Sequence, residues 1–223
     1  MKLIQGIRAF FFPERCPFCG RLVEPDEYAC EDCRQMLREK HQAIKGGALG
    51  YRCVSSFVYD GRVRRLILRI KYHNRTQFIP QLAVILADDI KAAYPDISFD
   101  IITAVPIHKR DLYVREYNQS VLLAQALSEL LDVPYLDTLK KVKRTKKQHK
   151  LKFTERKTNL LGAFALIDKE RVKEKNILLI DDIITSGNTL GNCCKTLNKG
   201  RPSLICCATI ASAKRDYPEA TVI

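Results

Sequence analysis

The chain of 223 residues contains no tryptophan, two methionines and four histidines. No apolar run approaches the roughly 20 residues that a membrane-spanning helix needs, so a bilayer protein is excluded at the outset. His41, His73, His108 and His149 stand at no ligand spacing to one another, which argues against a histidine metal site. His108 follows a strand end and reads as a loop histidine. No internal repeat is present. Residues 1–12 are too short and too interrupted for a secretion signal, and no small-residue cleavage site follows, so the expected location is cytoplasmic. With nine cysteines, an odd number, a disulfide framework is not expected either.

Acidic charge is also scarce, at 25 residues against 38 Lys and Arg, for a formal net charge of +13. The excess is local. Residues 62–75 hold six basic side chains and no acidic one, and residues 140–152 hold eight and none, so the remainder is close to neutral. Arg62, Arg64, Arg65, Arg69 and Lys71 in the first segment, with Lys143, Arg144, Lys146 and Lys147 in the second, are candidates for contacting a polyanion such as single-stranded DNA. A solvated surface and a loop would account for the same charges.

What is present begins with two pairs, Cys16-x-x-Cys19 and Cys30-x-x-Cys33. Each two-residue spacing lets a tight turn aim two thiolates at one point, and Gly20 allows the backbone close to sulfur. Four thiolates make a tetrahedral zinc site with no open position, a structural and not a catalytic arrangement. A region this short cannot build a core without its metal. The loaded site adds two negative charges, bringing the chain to about +11. Cys53, Cys193, Cys194, Cys206 and Cys207 form no further pair of that spacing and read as buried small hydrophobes.

The expected organisation is a zinc module over 1–45, a glycine-containing linker over 46–52, and an α/β domain over 53–223. Strands are expected at 53–59, 101–105, 176–180 and 203–211. Helices are expected at 63–72, within 78–94, at 118–131 and from about 189. Alternating helices and apolar strands indicate a parallel sheet covered on both faces, with ligands at the C-terminal strand ends.

The segment Ile177 to Leu190 carries the most chemistry. An apolar strand leads to Asp181 and Asp182, then to Thr185, Ser186, Gly187, Asn188 and Thr189 at a helix start. Loop N–H groups, hydroxyls and a helix N-terminus suit a phosphate dianion, and paired carboxylates can accept from vicinal ribose hydroxyls. A simple N-cap explains one Asp and one Thr, but not the whole segment.

This segment resembles the phosphoribosyl-pyrophosphate (PRPP) signature of type I phosphoribosyltransferases. Val105-Pro106-Ile107, Arg110 and Arg115 to Ser120 are similar to the "VP…R…RGFNQ" block of the ComF family. Thr145 to Gln148, Arg156, Asn159 and Gly162-Ala163-Phe164 resemble its later block, and Ile70-Lys71-Tyr72 its lysine–aromatic step. With the double-cysteine module in front, the whole chain from Phe12 resembles a ComF family protein of the ComFC type. The resemblance implies a type I phosphoribosyltransferase-like parallel sheet with a four-cysteine zinc ribbon, and a role in natural transformation. It implies that Asp181 and Asp182 hold the ribose hydroxyls and that the following loop holds the 5′-phosphate. Glu116 departs from the family, standing where glycine is usual, beside Arg115 where pyrophosphate would lie.

Two functions remain open. One is a competence accessory protein that binds single-stranded DNA and a PRPP-type sugar, with Tyr72, Tyr113 and Tyr117 as stacking faces and a competence helicase or strand-loading protein as partner. The other is a phosphoribosyltransferase in which Mg²⁺ bridges ligand oxygens and Arg110 and Arg115 steady the leaving pyrophosphate. No residue set in the sequence specifies an acceptor.

Overall fold

The computed structural model describes residues 15–16, 18–24, 29–48, 50–143 and 162–213. Arg144, Lys146, Lys147 and the later block's Thr145, Gln148, Arg156 and Asn159 lie outside them. The described elements are α1 (Glu31–Lys40), β1 (His41–Ala48), β2 (Tyr51–Val58), α2 (Gly61–Tyr72), α3 (Ile79–Ala93), β3 (Ile101–Ala104), α4 (Lys109–Arg115), α5 (Gln119–Leu131), β4 (Leu139–Lys141), β5 (Phe164–Leu166), β6 (Asn176–Ile184), α6 (Asn188–Leu197) and β7 (Leu204–Ser212).

Five strands form one sheet in the order β1-β2-β7-β6-β3. The four from β2 to β3 run parallel, and β1 joins the edge antiparallel to β2. The sheet is buried on both faces, as the apolar strands demand. Leu178 and Ile180 enter the core beneath α2, α3 and α5, while Ile177 and Leu179 enter the core beneath α6. That division is the strand's two-residue alternation turned into two layers. Val63, Leu66, Ile67 and Ile70 form the buried stripe of α2, at the helical spacing expected of an amphipathic face. Pro80 sits in the first turn of α3, where its missing N–H costs nothing.

Two sequence expectations change. The stretch 46–52, expected as a linker, is built into the sheet: β1 and β2 pair from Gly46↔Cys53 to Ala48↔Tyr51, with Gly50 at φ +91°. Gly46 and Gly47 lie in β1, and Gly50 serves the hairpin turn. The strand expected to stop at Ile180 continues to Ile184, pairing Asp181 with Thr209 and Ile184 with Ser212. Asp181 and Asp182 therefore lie within β6, not past its end. Charge suggested a boundary, but donors from two other elements, α2 and α5, make burial of the acids tolerable.

Among the described residues, no helix is long and apolar enough to cross a membrane.

Candidate functional site

The zinc module is positioned by two tight turns. Gly20 N–H donates to Cys16 O at 2.8 Å, with Gly20 at φ +85°, and Arg34 N–H donates to Cys30 O at 2.9 Å at the start of α1. The sulfurs of Cys16, Cys19, Cys30 and Cys33 all lie within 4.8 Å of one another. Zn–S bonds of about 2.3 Å set tetrahedral sulfurs roughly 3.8 Å apart, so this donor set fits zinc. Among the described residues it is the only group of three or more His, Cys, Asp or Glu so placed. Desolvation opposes ionisation of Cys19, but the N–H and guanidinium of Arg21 prevail and bring its thiol down to about 6. The module does not stand apart, because Phe18 and Leu37 share a core with Leu66 of α2.

Helix α2 links this module to the acid pair. Near its start, Arg62 Nη1 donates to Cys33 Sγ at 3.4 Å. Further on, Arg69 Nη1 donates to Cys16 O at 3.4 Å. In its last turn, Lys71 Nζ donates to Asp182 Oδ2 at 3.1 Å. Three of the five cations assigned to DNA in this segment are thus turned inward, leaving Arg64 and Arg65 exposed.

Asp181 and Asp182 are each 8% exposed. The N-terminal turn of α5 braces them: Gln119 Nε2 donates to Asp182 Oδ2 at 3.1 Å and Ser120 Oγ to Asp181 Oδ1 at 2.9 Å. The N–H of Asp182 adds a second donor to Asp181 Oδ1, at 2.9 Å. Burial, followed by the adjacent Asp182 charge, pushes the Asp181 carboxyl up to about 7, against the opposing pull of Lys71 and Ser120. Burial pulls the Lys71 ammonium down, but the two carboxylates outweigh it and hold Lys71 above its ordinary value.

The loop after β6 follows at once. Gly187 adopts φ +73° as the N-cap of α6, a conformation that disfavours any other residue. Ser186 Oγ and Asn188 Nδ2 are buried with no hydrogen-bond partner among the described residues. Two orphaned polar groups at the start of a ten-residue helix are costly, and an anion at that helix start would satisfy both. Thr185 is exposed and Thr189 half-buried at the same loop.

The arginine candidates separate. Arg110 is exposed on α4. The Arg115 guanidinium lies 5.1 Å from the centre of the Tyr72 ring, and its charge bears on both Lys71 and Lys141. Tyr117 donates to Ile70 O, tying the entry of α5 to the end of α2. Of the three tyrosines, Tyr113 is 88% exposed, Tyr72 is half-covered by Arg115, and Tyr117 is held at the site. His108 Nδ1 accepts from Arg110 N–H, capping α4. Glu116 occupies the left-handed region at φ +67°, the conformation for which glycine is the usual choice. Gln119, Ser120 and Lys141 escaped the sequence reading. Gln119 and Ser120 end the block at 115–120, so their position offered a signal; Lys141 offered none beyond its charge.

Comparison with known proteins is consistent with this geometry. The profile of the phosphoribosyl transferase domain matches residues 117–221, and that of the double zinc ribbon domain matches residues 7–44. Competence protein F of Haemophilus influenzae is 30% identical over 188 residues, spanning 82% of this chain and 79% of that protein. DNA utilization protein YhgH of Salmonella typhimurium is 28% identical over 192 residues, spanning 82% and 83%. Competence protein ComFC of Bacillus subtilis is 29% identical over 197 residues, spanning 87% and 76%.

Proposed function

The chain belongs to the ComF family of competence proteins, and from that premise we propose that it serves DNA uptake in the cytoplasm by binding single-stranded DNA and a PRPP-type phosphorylated ribose. The observation that carries the sugar half is the pairing of two braced, buried carboxylates with the unpartnered Ser186 Oγ and Asn188 Nδ2 one loop away. Among the described residues, each carboxylate has one oxygen engaged by protein donors, which leaves the other for a ribose hydroxyl. The orphaned groups and the α6 N-terminus then receive the 5′-phosphate. Lys71 and Gln119 keep Asp182 Oδ2 occupied, and magnesium arriving with such a ligand would supply charge neutralisation to its phosphates.

The DNA half rests on the second cationic segment, on Arg64 and Arg65, and on the exposed Tyr113 ring as a stacking face. A competence helicase or strand-loading protein is the expected partner. A second reading, a phosphoribosyltransferase, draws support from the cations Lys71 and Arg115 beside the acid pair, where pyrophosphate charge would develop.

Titration of labelled single-stranded DNA with and without PRPP, using wild type and Asp181→Asn/Asp182→Asn, tests both halves. PRPP should shift the DNA affinity of wild type and not of the double variant. Unchanged PRPP binding by the double variant would remove the sugar reading, and PRPP consumption with a candidate acceptor would favour the enzyme.

A further inference from the structure

A separate cavity of about 770 Å³ opens beyond Ala104 at the C-terminal end of β3. Its size is that of a small-molecule site. Leu122 and Leu139 form its inner wall, and Leu112, Val142 and Ile167 its mouth. Those three mouth residues are 43–48% exposed, an apolar rim that fold stability does not require. His108 and Tyr117 are also among the lining residues.

Three lysines, Lys109, Lys140 and Lys141, are among the residues lining the same space, with Lys141 the more buried of the two on β4. Asp137 is engaged by the Tyr135 hydroxyl at 2.5 Å, and Glu116 is the other lining acid. Lys141 lies 5.8 Å above the Phe164 ring, and burial depresses its basicity although Asp111, Cys193 and Asp181 oppose that. A half-buried ammonium over an aromatic ring gains from an anion brought beside it. The amide that might read a nucleobase is already spent: Asn118 Nδ2 donates to Val105 O at 2.9 Å and its Oδ1 accepts from Ser120 N–H at 3.1 Å. Recognition here is therefore by shape and charge, not by a hydrogen-bond pattern.

We propose that this cavity is a binding site for an aromatic organic anion, with the flat body against the apolar wall and the carboxylate or sulfonate on Lys141. The site is distinct from the acid pair and stands whether or not that pair holds a ribose.

The test uses the zinc-loaded full chain and the fluorescent probe 1-anilinonaphthalene-8-sulfonate, with neutral N-phenyl-1-naphthylamine as its uncharged counterpart. The sulfonate should bind saturably at one site per chain, and more tightly than the neutral probe. Lys141→Met should weaken it about tenfold or more. Val142→Trp, at the exposed mouth, should obstruct binding without entering the core. A thermal melt unchanged from wild type identifies variants that remain folded. If folded Lys141→Met and Val142→Trp both bind the sulfonate as tightly as wild type, or if the neutral probe binds equally well, the proposal is overturned.

Discussion

The two cationic segments look alike on paper and behave differently in the fold. The first segment lies mostly on α2, which spends Arg62 and Arg69 on the zinc module and Lys71 on a buried carboxylate. In residues 140–152, the described cations Lys140, Lys141 and Lys143 line a cavity or face solvent. Charge density in a sequence thus counts cations without saying which way they face. A helix with one apolar stripe must pack, and packing turns the flanking cations toward whatever acceptors lie beneath them.

The sharpest way to break this contrast is Lys71→Met. It leaves two carboxylates in a buried site without their cation, and should cost about 3–5 kcal/mol in urea unfolding at pH 8. Lys140→Met should stay within about 0.5 kcal/mol of wild type. Equal effects would mean that the segments do not differ. The opposite experiment concerns binding: changing Lys143, Arg144, Lys146 and Lys147 together to Ala should lower the salt slope of single-strand binding by roughly 2–3, at about 0.7 per lost phosphate contact. Arg62→Ala with Arg69→Ala should leave that slope nearly unchanged. Instead this pair should cost about 1–3 kcal/mol and speed zinc loss to a chelator, followed by a colorimetric zinc reagent.

The acid pair adds a pH signature. Asp181 titrates higher in the folded chain, near 7, than its ordinary 3.8. Between those values the folded state holds more protons than the unfolded one, so this group's contribution to stability falls as pH rises from about 4 to 7 and is flat above. Ser120→Ala removes a donor to the carboxylate, so the falling region should extend to higher pH; urea midpoints across pH 4–9 would show it. A modest gain is expected at Glu116. Glycine there relieves a left-handed backbone and should add about 1 kcal/mol, read as a higher unfolding midpoint.

Local chemistry was legible in the sequence, and long-range partnership was not. The cysteine spacing, the α/β alternation and the segment from Asp181 to Thr189 are each contained in short stretches, and the structure has the four sulfurs together and the glycine in its left-handed turn. The partners of the acids come from 61 to 111 residues away, a distance over which periodicity says nothing. The hairpin of β1 and β2 was hidden because glycines serve linkers and turns alike. The continuation of β6 through two aspartates was hidden because burial of an acid depends on donors supplied by other elements.

The position of β7 has a consequence for how the chain reaches this state. The strand latest in sequence among those described lies between β2 and β6 in the sheet. Until residues 204–212 have left the ribosome, the hairpin that carries the zinc-module side has no ladder partner, and the acid-bearing strand has a bare edge. The two halves can form locally but must wait for one late insertion to join them. The sheet therefore closes from the outside inward, with slow, high-contact-order kinetics and an aggregation-prone interval before the centre is filled.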